Sequence, residues 1–348
     1  MSNTRTGALR APACVSGQES PVPVRQHEEQ QERVRRDALH SAPADLRTAP
    51  CLRASGQSIA VWKRRAFHDL QRQTPAPDPS GVHMSNRHQR FFHLHHQKEL
   101  LVLPTVWDAA SARMAQACGA DAVGTSSAAL AWSCGLADGG VLPVQTLLHR
   151  VAGIVQATML PVTVDIEAGY SADPRAVAAL VQDLAGLGVV GINIEDGDGE
   201  PDLLIAKIAE VRHTLVSRPM FINARTDVYL RGLAEGEAAI RMSAERLQSY
   251  ARAGAHGAFV PGMQDPHALS ALAGQIPLPL NVMWLPGMPS NAALHTAGVR
   301  RLSAGPAIFQ HAWASASAAT RALLAGTLSA ADPSADYATL NALFTEQR

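Results

Sequence analysis

From Leu100 onward the chain repeats one unit: a short β-branched or apolar run, a polar or glycine break, then an Ala/Leu-rich stretch with helical spacing. The short runs predict strands at Leu100–Trp107, Ala122–Ser127, Pro161–Glu167, Gly191–Asp196, Met220–Thr226, Gly257–Gly262, Leu278–Trp284 and Arg300–Gly305. The stretches between them predict helices near 108–118, 143–158, 174–186, 201–215, 235–253, 266–273 and 290–297, with a last helix over 306–325. Asp173 before Pro174 suits a capped first turn, and Gly119, Gly186 and Gly254 stand where helices are expected to stop. Strands alternating with helices build parallel βαβ units, and eight units of this length predict a (β/α)8 TIM barrel of the α/β class. A doubly wound sheet is the alternative.

Residues 1–83 break the pattern. They are rich in Arg, Gln, Pro, Ser and Ala and hold no persistent apolar face, so they cannot bury enough surface to offset their ordering entropy. The expected organisation is a disordered tail or misassigned extension over 1–83, a native start at Met84, and a catalytic barrel over 84–348. His83, His88, His93, His95 and His96 gather near this junction. They precede the first strand, so a flexible or helical surface cluster is expected rather than a metal site.

Composition narrows the function classes. Formal net charge is zero across 348 residues, which removes the electrostatic case for nucleic acid. Apolar residues make up 47% of the chain, yet none of the apolar runs is long enough to span a bilayer, and the N-terminus has no compact apolar signal core. The 4 cysteines lack CxxC spacing, which predicts reduced thiols and a cytoplasmic protein. Gly186, Gly188 and Gly191 match GxGxxG, but they follow a helix and open a strand, the reverse of a dinucleotide fingerprint.

In a TIM barrel the chemistry sits at the C-terminal ends of the strands. Those ends carry Trp107, Ser126 and Ser127, Asp165 and Glu167, Asn193, Glu195 and Asp196, Arg225 and Asp227, then Asn281 and Ser303. Asp165 and Glu167, two apart, are expected on one face of a strand, where like charges need a cation, a shared proton or open water. All-oxygen donors suit Mg²⁺, with Mn²⁺ as the alternative. Arg225 would offer its planar fork to a substrate carboxylate, and the amides near Ser126 and Ser127 would hold a second anionic group. A plain ion-pair network of Arg225, Glu195 and Asp165 closing the barrel mouth is the competing reading. Lys63, Lys98 and Lys207 are the only lysines, and none is predicted on a strand, so Schiff-base chemistry is disfavoured.

The segments WDAASARM (107–114), GTSSA (124–128), the Asp138 loop, VDIEAGY (164–170), NIED (193–196) and NARTD (223–227) together resemble the isocitrate lyase/phosphoenolpyruvate mutase superfamily. The resemblance implies a TIM barrel with its C-terminal helix exchanged between subunits of a homodimer or homotetramer. It implies Mg²⁺ bound with a 2-oxo acid or its enolate. Asp165 matches the direct metal ligand, Glu167 a second acidic position that is usually Asp, and Asp138 and Glu195 carboxylates that reach the metal through water. Arg225 matches the arginine that binds the substrate carboxylate, and Ser126 and Ser127 fall in a substrate-contacting segment. Trp107 and Asn281 complete the candidate substrate contacts; Arg225, Glu195 and Asp138 are the candidate catalytic residues. The chain departs from the family lyases at GDGEPDLL (197–204), which is short and lacks the cysteine of their KKCGH-like loop. Tyr170, Asp198 or water would then supply the proton. The expected function is a Mg²⁺-dependent lyase or decarboxylase of a small 2-oxo or hydroxy dicarboxylic acid. The alternatives are a phosphoenolpyruvate mutase-like or phosphonopyruvate hydrolase-like C–P bond enzyme and a non-catalytic anion-binding barrel.

Overall fold

The computed structural model describes residues 86–216, 219–329 and 334–345. The expected boundary at 83/84 and His83 lie outside the described residues. Nine short strands, all paired in parallel, form the sheet: β1 (Leu101–Leu103), β2 (Thr105–Val106), β3 (Val123–Thr125), β4 (Val162–Asp165), β5 (Gly191–Glu195), β6 (Phe221–Arg225), β7 (Gly257–Phe259), β8 (Leu280–Met283) and β9 (Val299–Ser303). β1 and β2 are the two halves of the expected first strand. Pro104 between them has no N–H to give to a ladder. One half pairs with β9 and the other with β3, so the ring closes through them and the architecture is the expected eight-unit TIM barrel.

The helices are α1 (Asn86–Leu94), α2 (Ala109–Ala117), α3 (Ser127–Ser133), α4 (Val144–Ala157), α5 (Pro174–Leu187), α6 (Pro201–Thr214), α7 (Gly236–Ala253), α8 (Pro266–Ala273), α9 (Asn291–Thr296), α10 (Ala307–Leu324) and α11 (Tyr337–Thr345). Asp173 caps α5 by accepting from the Arg175 N–H, with Pro174 in the first turn. The stop is Gly188 in the left-handed region at φ 96°, not Gly186, because the apolar face runs through Leu187.

Other differences from the expected pattern have local causes. Ser126 does not continue a strand; it caps α3, a helix absent from the sequence-based reading. Near the junction, His93 and His96 are exposed, but His95 is buried, stacked on Phe221 with ring centroids 4.0 Å apart. There α1 closes the N-terminal end of the barrel: Phe91 and Leu94 pack with Leu101, Leu103, Ala122, Val190 and Phe221. The main core lies between the strands and the surrounding helices, with Val162, Val164, Ile192 and Ile222 against Leu147, Val181, Ile208 and Leu247. Among the described residues, no helix is long and apolar enough to cross a membrane.

Candidate active site

Two cavities open at the C-terminal end of the barrel, and they divide the candidate residues. The inner one, of about 160 Å³, is lined by Ser126, Ser127, Asp138, Asp165, Arg225 and Arg301 among others. The outer one, of about 590 Å³, is lined by Glu167, Tyr170, Glu195, Asp198 and Lys207 among others.

The two carboxylates of the VDIEAGY segment part company because β4 stops at Asp165. Glu167 follows in a turn at φ 53° and Tyr170 at φ 58°, both left-handed, a conformation few non-glycine residues adopt. The period-two argument that set both side chains on one strand face therefore does not apply. The Glu167 N–H instead donates to Asp165 Oδ1 at 3.1 Å, and the Tyr170 hydroxyl donates to Glu167 Oε1 at 3.1 Å. The Ser127 N–H faces the Asp165 carboxylate and favours its charged form. Thr125 Oγ1 accepts from the Asp165 N–H at 3.0 Å, fixing the end of β4 against β3.

Arg225 ends β6. Asp227 clasps it with two bonds, Nε to Oδ1 at 2.6 Å and Nη2 to Oδ2 at 3.0 Å, and Glu195 Oε2 lies 2.6 Å from Nη1. Of the five guanidinium donors, Asp227 takes two, and Glu195 sits against Nη1 as an ion-pair partner. The fork expected to face substrate is thus partly occupied. Asp227 was legible as the last residue of the ARTD run, but its clasp was not. Asp196, next to Glu195, lines the outer cavity, but its carboxylate is taken up by neighbouring donors. It accepts from Thr226 Oγ1, the Tyr250 hydroxyl and Arg246 Nη1 at 2.7, 2.8 and 2.8 Å, and from the Asp227 N–H at 2.9 Å.

The acidic groups raise one another. Burial pushes Asp165 up, with Arg225 opposing and Asp138 adding to the rise. Burial also raises Glu167, reinforced by Asp165. Burial pushes Glu195 up to about 8, against the pull of Arg225 and with Asp165 adding to it. Burial alone would lower Arg225, but Glu195, Asp165 and Asp227 hold it above the usual arginine value. Among the described residues, no three His, Cys, Asp or Glu side chains converge closely enough to grip an ion directly.

Three other candidates sit elsewhere. Trp107 packs edge-on against Phe309, with centroids 5.0 Å apart, and does not line the inner cavity. Asn281 is buried below it, where its Oδ1 accepts from Ser303 Oγ at 3.2 Å. Asp198 pairs with Arg231, which also reaches Asp227, and this tethers the loop over 197–200 beside the outer cavity; the rest of the 197–204 segment is the first turn of α6. Lys207, inside α6, donates to the Ala168 carbonyl at 2.8 Å. Arg301 on β9 was overlooked. In VRRLS, residues 299, 301 and 303 share a face, which was the available signal.

The family model for phosphoenolpyruvate phosphomutase matches residues 91–324. An uncharacterized protein of Mycobacterium tuberculosis is 38% identical over 249 residues, 68% of this chain and 89% of its own length. The crystal structure of a "putative phosphonomutase" from Burkholderia cenocepacia is 37% identical, covers 68% of this chain and 100% of its own, and superposes with a TM-score of 0.65. The oxaloacetate decarboxylase of Paraburkholderia xenovorans is 27% identical over 248 residues, 67% of this chain and 81% of its own. 2-Methylisocitrate lyases stand among the further relatives. With a match across most of the barrel and relatives of this kind, the chain belongs to the phosphoenolpyruvate phosphomutase family, within the isocitrate lyase/phosphoenolpyruvate mutase superfamily of lyases and mutases.

Proposed function

We propose that this enzyme is a Mg²⁺-dependent lyase or decarboxylase acting on a small 2-oxo or hydroxy dicarboxylic acid. The observation that carries the reading is the meeting of Asp165 and Arg225 across one small cavity. Its volume of about 160 Å³ is below the usual range of roughly 300–1,000 Å³ for ligand pockets, which supports a short acid as the substrate.

The donor set fits Mg²⁺ on this chain's own geometry. Asp165, Glu167, Asp138 and Glu195 are oxygen donors whose negative charges disfavour one another, and a divalent ion relieves that. They do not converge for direct three-way ligation. This suits an ion that keeps several waters and takes one direct carboxylate, Asp165 in this reading. When bound, Mg²⁺ supplies Lewis-acid stabilisation of an enolate oxygen. Arg225, braced by Asp227, orients the carboxylate next to the carbonyl. In a 2-oxo diacid the C3–C4 bond would break, CO₂ would leave, its electron pair would stay on C3 as the enolate and a proton would return to C3. In a 2-hydroxy diacid the hydroxyl would lose its proton to a carboxylate or water as the C2–C3 bond breaks, giving a 2-oxo acid and a carbanion at C3, spread over the distal carboxylate, that is then protonated. Tyr170 and Asp198 line the outer cavity and are occupied by Glu167 and Arg231, so water is assigned as the proton source. Phe259, Leu230 and Met283 give the inner cavity its apolar wall.

The similarity to the Burkholderia "putative phosphonomutase" supports a second reading, a C–P bond enzyme using the same two groups. We also read the protein as a cytoplasmic homodimer or homotetramer with its C-terminal helix exchanged. Free Cys118 and Cys134 support the compartment, and the exposure of Trp313 and Leu324 on α10 supports the assembly. The test of function is a turnover screen on the full chain with Mg²⁺. Oxaloacetate, substituted malates, 2-methylisocitrate and phosphonopyruvate are supplied, and pyruvate, phosphate and substrate loss are followed. Product formation that EDTA stops and Asp165→Ala abolishes is expected; turnover unchanged in folded Asp165→Ala refutes the assignment.

A further inference from the structure

Arg301 is among the largest fully buried side chains of the protein, 1% exposed, and its guanidinium reaches the floor of the inner cavity. One hydrogen bond holds it, Nη2 to Asn193 Oδ1 at 3.3 Å, and that oxygen is shared with Asn223 Nδ2 at 3.0 Å. Nε and Nη1 have no hydrogen-bond partner. Among the described residues no carboxylate forms an ion pair with Arg301. A buried charge without a counter-ion costs several kcal/mol, and folded proteins keep one where something else supplies the opposite charge. Burial pulls its pKa down to about 9, with Asp165 opposing, so the side chain remains a cation at neutral pH.

The two arginines of this cavity are in opposite conditions. Arg225 is held by Glu195 and Asp227, two carboxylates for one positive charge. Arg301 has none. Of the amides near Ser126 and Ser127 expected to take a second anion, that of Ser127 faces Asp165. We propose that Arg301 is the specificity-determining residue of the cavity, binding a second anionic group so that the ligand is a short dianion spanning Arg225 and Arg301. The proposal rests on the reading of the cavity as a dicarboxylic-acid site, and it adds the residue that selects for the second negative charge. A guanidinium stabilises a carboxylate more than the neutral CO₂ it would become. Within the proposed activity this grip favours cleavage that leaves the distal carboxylate intact over decarboxylation. The same geometry accepts a distal phosphonate.

The experiment compares two acids that differ only at the far end of a four-carbon 2-hydroxy acid, (S)-malate and (S)-2-hydroxybutyrate. Calorimetric titrations use the full chain with Mg²⁺, in wild type, Arg301→Met and Arg301→Lys. Wild type is expected to bind malate at least about tenfold more tightly, the size of one charge-assisted contact. Arg301→Met is expected to lose that preference and keep its affinity for 2-hydroxybutyrate, and Arg301→Lys to keep part of it. Without ligand, Arg301→Met is expected to melt at or above the wild-type temperature, because an unpaired buried charge has been removed. A wild type that binds both acids equally, or Arg301→Met that keeps the malate preference, overturns the proposal and leaves the acid-site reading standing. A fall in melting temperature beyond about 4 °C with both affinities lost assigns Arg301 a purely structural role. A wild type that binds neither acid overturns the acid-site reading and this proposal with it.

Discussion

Asp227, Arg225 and Glu195 form a chain of contacts in which each charge is set by the next. The Asp227 carboxylate meets the Arg225 guanidinium through two parallel bonds, a geometry that lysine cannot reproduce. Arg225→Lys should therefore fold and lower kcat/KM by about 100-fold or more, since a point ammonium can serve Asp227 or the substrate but not both. Asp196 gives the contrasting case. Its four partners lie on β6 and α7 or just after them, and none is in a cavity. Asp196→Ala strands the Arg246 charge and the Tyr250 and Thr226 hydroxyls, and should destabilise the fold by about 3–5 kcal/mol. Equilibrium urea denaturation reads this as a lower midpoint at constant slope. An unchanged midpoint would mean that solvent replaces Asp196 at no cost.

At the scale of elements, the turn after β4 decides how the acidic residues are shared between cavities. It runs through two left-handed non-glycine residues, Glu167 and Tyr170, and through Gly169 at φ 94°. A Cβ on Gly169 would sit 2.8 Å from Val177 Cγ2 of α5, closer than packed carbons approach. Gly169→Ala should cost about 1–3 kcal/mol, read as a lower melting temperature, and should also weaken metal binding by displacing Glu167. The sequence carried most of the helix and strand positions because the period changes from short apolar runs to helical spacing at each boundary. Asp173-Pro174 and Gly254 acted as local punctuation, and the structure uses both. Three features were hidden for physical reasons. Barrel strands end where their ladders end, so Glu167 lost its strand and its shared face with Asp165. The 7-residue helix α3 is too short to show a period, so Ser126 and Ser127 read as a strand end. Arg301 was passed over because an arginine in a strand is ordinarily solvent-facing, and only the inward parity of Val299 and Ser303 argued otherwise.

For the whole molecule, the N-terminal closure of the barrel bears on stability in acid. His256 touches Phe92 and Phe221, and its Nδ1 accepts from the Ile222 N–H at 3.1 Å. Burial, then Arg212 and His96, pull its pKa down to about 3. His95 is lowered by burial as well. An unfolded chain binds protons at these rings below the ordinary value of 6.5 while the folded chain does not. Stability from keeping them neutral is present above pH 6.5 and is lost as pH falls toward 3. His256→Gln should flatten the pH dependence of unfolding free energy in that window by up to about 1.4 kcal/mol per pH unit. Superimposable pH profiles would contradict this.

The central claim is that a metal held at Asp165 and an acid held at Arg225 meet in one cavity. Thermal unfolding of the full chain tests it most directly, with Mg²⁺ alone, oxalate alone, and the two together, in wild type and Asp165→Ala. Ligands that share a site and support one another stabilise the native state by more than the sum of their separate effects. The account predicts such a surplus in wild type and its loss in Asp165→Ala. A merely additive shift, or a surplus that survives in Asp165→Ala, would contradict it.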